Sequence, residues 1–284
     1  LSFTDVKREV VITGVEEIPV LDKDGNPKTR SDGSIRTKKI KQKELQIKYD
    51  WVGFKKYKRV INDQEYQDAA KFTFIYVIVS VVIEIILGLF LAFLFNRRIY
   101  GRGFMRSLMI LPIFATPFAI GFMFFTILFE ISGPLAWMGI PFLSNHNWAP
   151  FSVMLVDVWQ WTPFCFLVFL AALQGIPDDL IEAATHDTKS AYKIWTSVIL
   201  PLLQPIIVLV ILLRVAESAK LYDYIASLTK GGPGTATQSV SFLVFNKAFK
   251  MNDFGYASAG SFLMLIVVMV FVMLFFTRLR KTYE

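Results

Sequence analysis

Five stretches of this chain, at 72–95, 107–129, 151–173, 198–217 and 256–277, are almost wholly apolar. Each is long enough to cross the hydrocarbon core of a bilayer at a rise of about 1.5 Å per residue. A lipid-exposed backbone must satisfy its hydrogen bonds within a helix, so these stretches dictate helices. Composition agrees: 54% of residues are hydrophobic and 19% charged, against about 45–50% and about 25% in soluble domains. A soluble enzyme, a disordered chain and a disulfide scaffold are excluded. The one cysteine, Cys165, lies inside an apolar stretch and has no partner within the chain for a disulfide. The net charge of +7 resides mostly in the N-terminal stretch and the short loops. Membrane topology explains charge placed there better than nucleic-acid binding does.

The first 71 residues contain no apolar span. Two turn signals, Asp24-Gly25-Asn26-Pro27 and Asp32-Gly33-Ser34, separate segments such as Val10-Val11-Ile12 and Leu45-Gln46-Ile47. Residues 6–49 are expected to form a small β-rich extramembrane element of one or two hairpins, with a solvated loop as the alternative. A short surface helix is expected over Asn62 to Lys71. Orientation follows from the loops. The connection 96–106 carries four arginines and the chain closes with Arg278, Arg280 and Lys281, whereas the loop from Glu130 to Pro150 has no Lys or Arg. The positive-inside rule places the arginine loop, the segment 174–197 and the C-terminus in the cytoplasm, and residues 1–71 outside. On that topology Leu1-Ser2-Phe3-Thr4-Asp5 is expected to be the outer end of a preceding span.

A charge at mid-membrane costs about 2.5–3.5 kcal/mol even on the lenient insertion scale, so Glu84, Asp157 and Arg214 stand out. With Gln160 and Trp161 they define a candidate polar path. Pairing with one another or with a partner subunit for structure alone is the competing account; it is the expectation for Glu84, and sequence does not decide for Asp157 and Arg214. Pro112, Pro117, Pro163, Pro201 and Pro205 invite kinks. Tyr256-Ala257-Ser258-Ala259-Gly260-Ser261 is a small-residue face suited to close helix packing. Catalytic signatures are missing. Lys230-Gly231-Gly232-Pro233-Gly234 is not followed by Gly-Lys-Ser/Thr, and His146 and His186 have no metal-ligand spacing. No catalytic or metal site is expected.

Between the third and fourth of these spans runs Ile176-Pro177-Asp178-Asp179-Leu180-Ile181-Glu182-Ala183-Ala184-Thr185-His186-Asp187-Thr188, then Trp195 and Val198-Ile199-Leu200-Pro201. Pro177 followed by two carboxylates starts a helix, because acids are favoured at its positive end. Two alanines beside a glutamate suit docking into a partner's groove. Here the sequence resembles the membrane-spanning subunits of ATP-binding-cassette importers of the carbohydrate class. Glu182, Ala183, Ala184, Asp187, Trp195, Val198, Leu200 and Pro201 fall at the spacings of that family's cytoplasmic signature. Asn96-Arg97-Arg98 with Gly101-Arg102-Gly103-Phe104, Tyr222-Asp223-Tyr224 through Gly234, and Phe254 to Ala259 continue the likeness. Thr188 departs from it: the family has glycine there, and a β-branched residue would be strained in a left-handed turn.

The resemblance implies a type I importer transmembrane fold over 72–284, with cytoplasmic coupling helices over 178–197. It implies a permease in the inner membrane of a prokaryotic cell, paired with a second related permease, two ATPase subunits and an extracytoplasmic solute-binding protein. The cargo is expected to be a sugar or polyol. ATP and Mg²⁺ are expected on the ATPase subunits and no cofactor in this chain. Glu182, Ala183, Ala184, Asp187 and Thr188 become the coupling residues. The rival classes are a membrane-embedded transferase, which needs a metal-binding carboxylate pair or an interfacial base, and an ion-coupled carrier, which needs no ATPase.

Overall fold

The computed structural model describes residues 4–20, 27, 33, 37–51, 53–97 and 100–283. Residues 1–3, Asp24, Gly25, Asn26, Asp32 and Ser34 of the expected turns, and Arg98 of the arginine loop, lie outside the described residues. The chain opens with β1 (Thr4–Pro19) and β2 (Thr37–Trp51). They pair antiparallel from Thr4 opposite Trp51 to Pro19 opposite Thr37. Ile12 faces Lys43 and Gly14 faces Gln42, so Thr13 is an extra residue and the ribbon carries a bulge.

Helices dominate the other described residues. They are α1 (Lys55–Ile61), α2 (Gln64–Asn96), α3 (Arg102–Ile110), α4 (Pro117–Leu128), α5 (Trp148–Gln174), α6 (Asp178–Asp187), α7 (Ala191–Ile194), α8 (Leu200–Ser218), α9 (Val240–Phe245) and α10 (Phe254–Tyr283). Among the described residues four helical runs are long and apolar enough to cross a membrane: Gln64–Asn96, Trp148–Gln174, Ala191–Ser218 and Phe254–Thr277. The surface helix expected at Asn62–Lys71 sits earlier, as α1. Asp63 ends that turn and caps α2 by accepting a hydrogen bond from the Glu65 amide at 3.0 Å. Residues 64–71 therefore belong to the same helix as the span.

The stretch 107–129, expected as one span, is broken. A 3₁₀ turn, Leu111–Phe114, continues α3, and α4 then leaves at 101° to that run. Two prolines account for the break. Pro112 sits in the 3₁₀ turn, where it supplies no amide hydrogen to continue α3. Pro117 disfavours the helical conformation in the residue before it, and Thr116 is extended at ψ 142°. The Thr116 hydroxyl then caps the new helix, whose first position Pro117 suits because it has no amide hydrogen to satisfy. Pro163 and Pro205, in contrast, sit inside α5 and α8 without ending them.

Two apolar clusters flank the middle of the α2–α5 pair. One gathers Tyr76, Val81, Val153, Val156 and Ile225; the other gathers Phe95, Phe166, Phe169, Leu173 and Leu203. Gly88 sets the distance between these helices, since a Cβ there would meet the Cβ of Cys165 at 2.6 Å and its backbone carbon at 3.1 Å. The face 256–261 is used within the chain: the Tyr66 hydroxyl donates to the Gly260 carbonyl at 3.0 Å, and a Cβ on Gly260 would crowd Val244 and Tyr66. The loop after α4 is pinned by Glu130. Its carboxylate accepts from the amides of Leu143 and Ser144, both at 2.7 Å, and from the Ser144 hydroxyl at 2.6 Å. Burial works to raise this carboxyl, and the three donated bonds outweigh it and hold it below the ordinary carboxylate range.

Gly88→Ala forces α2 and α5 apart. The expected loss is about 1–3 kcal/mol of stability, as for an overpacked core. Thermal unfolding of the purified protein in detergent measures it, and an unchanged midpoint would show that glycine does not set the separation.

Candidate functional site

Between the two clusters, three helices bring three charges together. Glu84 on α2, Asp157 on α5 and Arg214 on α8 are exposed by 0%, 2% and 2%, a burial that charges tolerate only when paired. Arg214 donates from Nε to Glu84 Oε2 at 2.5 Å and from Nη2 to Glu84 Oε1 at 2.7 Å, a fork-on-carboxylate geometry. Its Nη2 also reaches both oxygens of Asp157 at 3.2 Å and the Ser218 hydroxyl at 3.0 Å. The guanidinium lies 4.7 Å from the centre of the Trp161 ring, over its face. Glu84 and Arg214 are 130 residues apart in sequence.

A second, uncharged network adjoins it. The Trp161 indole donates to the Tyr224 hydroxyl at 3.0 Å, and that hydroxyl donates to Gln160 Oε1 at 2.7 Å. Gln160 Nε2 in turn donates to the Ala115 carbonyl at 2.9 Å, one of the backbone groups freed by the break before α4. The helix break thus anchors the site. Both networks border a cleft of about 180 Å³ lined by Tyr76, Asp157, Trp161, Arg214, Tyr222 and Tyr224. On its rim Lys220 pairs with Glu217 at 2.9 Å, and Asp223 adds a further carboxylate.

All five residues singled out for the polar path, Glu84, Asp157, Gln160, Trp161 and Arg214, meet at this one place. Trp159 faces away and packs edge-on against Phe124. Sequence reasoning missed Tyr76, Ser218 and Tyr224. Ser218 carries a signal, since it lies one turn after Arg214, whereas the tyrosines join only through the fold.

The other candidate site lies at the segment joining α5 to α8. Helix α6 starts after Pro177 with Asp178 and Asp179 in its first turn. Leu180, Glu182 and Ala183 are exposed, whereas Ala184 is buried within this chain. Asp187 ends the helix. Thr188 has φ −152° and ψ 137°, an extended conformation open to any residue. The left-handed turn expected from the family's glycine is therefore absent, and threonine bears no strain. Its hydroxyl instead accepts from the Ser190 amide at 3.3 Å, and Ser190 caps α7. From Ala191 the helix runs through a π turn at Trp195–Ile199 straight into α8.

Residues 84–284 match the binding-protein-dependent transport system inner membrane component family, and the chain belongs to it. Members of this family are permease subunits of transport systems. The chain is 37% identical over 233 residues to the trehalose/maltose transport system permease protein MalF of Thermococcus litoralis, covering 79% of this chain and 78% of that one. It is 30% identical over 246 residues to the multiple sugar-binding transport system permease protein MsmF of Streptococcus mutans, covering 84% of each. Its fold is that of a chain in a solved bacterial ABC transporter that imports the acidic polysaccharide alginate. The TM-score is 0.74 at 21% identity, over 82% of this chain and 85% of the other. A bacterial alginate ABC transporter has also been solved in complex with an alginate pentasaccharide-bound periplasmic protein.

Removing one member of the charge cluster strands the others. Arg214→Met is expected to destabilise the protein by about 3–5 kcal/mol. Adding Glu84→Gln and Asp157→Asn in the Arg214→Met background should recover most of that loss, because no buried charge is then unpaired. Unfolding midpoints in detergent compare the two proteins; equal loss in both would mean that charge pairing is not the stabilising element.

Proposed function

We propose that this chain forms half of the translocation path of an ATP-driven importer that receives a neutral sugar from an extracytoplasmic binding protein. The observation that carries the reading is the cleft at Arg214. It combines hydrogen-bonding groups with the faces of Trp161, Tyr76 and Tyr224, which suits a ligand of many hydroxyls and apolar C–H faces. The names of MalF and MsmF support the sugar class. Charge supports neutrality. Arg214 is committed to Glu84 and Asp157, and Lys220 to Glu217. Among the described residues no cation lining the cleft is left for a phosphate or uronate, and Asp223 adds repulsion.

In this reading the chain pairs with a second permease, and two ATPase subunits bind ATP and Mg²⁺. Helix α6 enters a groove on one of them, offering Glu182 and Ala183, with Asp187 and Thr188 shaping the turn that follows. The unbroken run from α7 through α8 carries the movement to Arg214. Residues 1–71, including the β1–β2 ribbon, and the loop 130–150 face outward near the binding protein, and α6 and the C-terminus face the cytoplasm.

Because Ala183 is exposed and Ala184 is buried, Ala183→Trp isolates docking from folding. The purified transporter in proteoliposomes is expected to lose sugar-stimulated ATP hydrolysis and uptake, with normal membrane insertion. Trp161→Ala, at the cleft, is expected to lower uptake while basal ATP hydrolysis persists. Full coupling in Ala183→Trp would sink the assignment of α6, and unchanged uptake in Trp161→Ala would remove the cleft from the path.

Topology is testable because Cys165, the native cysteine, is buried. A membrane-impermeant thiol reagent added to intact cells whose outer barrier is removed should label His146→Cys and leave Thr185→Cys untouched until lysis. The opposite pattern would invert the orientation.

A further inference from the structure

A second cavity, of about 700 Å³, lies on the other side of the α2–α5 pair and plays no part in the transport reading. Its floor is a stripe on α2, Val79, Ile83, Leu87 and Leu91, at steps of four residues; Met109 of α3 and Trp159 of α5 form its walls. The stripe is about 18 Å long at 1.5 Å per residue, close to the depth of one leaflet, half of a hydrocarbon core of about 30 Å. One turn beyond Leu91 is Phe95, whose carbonyl accepts a hydrogen bond from Arg106 Nη2 at 2.6 Å. A cation therefore stands at one end of an apolar groove.

It is not alone. Arg102, Arg106 and Met109 lie at i, i+4 and i+7 on one face of α3, and Arg97, at the C-terminal cap of α2, lies over the Phe93 ring at 4.6 Å. None of these three arginines forms an ion pair among the described residues, and the chain has no Asp or Glu from 85 to 129. The segment that carries these arginines supplies no counter-charge of its own. Guanidinium groups prefer phosphate oxygens, and a membrane presents phosphate attached to acyl chains. We propose that this groove is a binding site for one anionic phospholipid, its acyl chain along Val79–Leu91 and its phosphate between Arg102 and Arg106.

The test uses the full transporter in detergent, supplied with phosphatidylglycerol or phosphatidylcholine and examined by native mass spectrometry. Phosphatidylglycerol is expected to be retained about thirtyfold better, as two surface arginines at about 1 kcal/mol each warrant. Arg102→Gln, at an exposed position, should abolish most of that preference. Arg106→Gln should do the same if the protein still folds without its bond to Phe95. A phosphatidylglycerol carrying a photoreactive acyl chain should label peptides containing Met109 or Trp159, and Leu87→Trp should suppress the label by filling the groove. Equal retention of the two lipids, or labelling confined to other helices, overturns the proposal. So does cross-linking of Leu87→Cys to a second membrane subunit, since a protein helix would then cover the groove.

Discussion

The pairing of Arg214 with Glu84 and Asp157 is the constraint on which the membrane part depends. Three charges among apolar helices are tolerable only in one relative placement of α2, α5 and α8, because the guanidinium must meet both carboxylates within hydrogen-bond distance. Apolar packing alone is permissive about rotation and sliding between helices. A forked ion pair is not. It sets the register of three helices around one point, and the apolar clusters on either side close around it.

Backbone chemistry then decides what surrounds that point. Gly88 lets α2 approach α5 closely enough for Glu84 to reach across. Pro117 breaks the second apolar stretch and exposes the Ala115 carbonyl, which Gln160 takes up. The same amide side chain holds Tyr224, and Tyr224 holds the Trp161 indole that stacks on Arg214. Trp161, Tyr224 and Arg214, which bound the cleft, are therefore each held by a further partner, and these walls are pre-set for a ligand.

The proposed transport mechanism gains a mechanical link from this arrangement. Arg214 sits near one end of a helical run that begins at Ala191, close to α6. From Ala191 to Arg214 such a run spans about 35 Å at 1.5 Å per residue. A displacement of α6 by a partner would move the donor of the whole charge cluster, not a neighbouring residue. Coupling and cargo chemistry would then share one rigid element.

Much of this is legible from residues alone. Apolar length dictates helices, since lipid offers the backbone no other partner, and the scarcity of intramembrane charge marks Glu84, Asp157 and Arg214 by residue type and position alone. The spacing from Glu182 to Pro201 is enough to recognise the family. Other features are not legible. Sequence places no limit on which charge meets which across 130 residues, so only the packing of α2, α5 and α8 reveals that the residues of the polar path are also an ion-paired cluster. Pro112 and Pro117 signal a kink in the second stretch, but the 101° angle and the outward turn of Trp159 depend on packing that the residues do not encode. Thr188 shows the limit most plainly: its identity suggests a strained turn, and the fold supplies an extended one. Sequence determined the medium, the helices and the charges that had to be neutralised. Tertiary packing decided how they are neutralised, because side chains far apart in the chain meet only where backbones can come close.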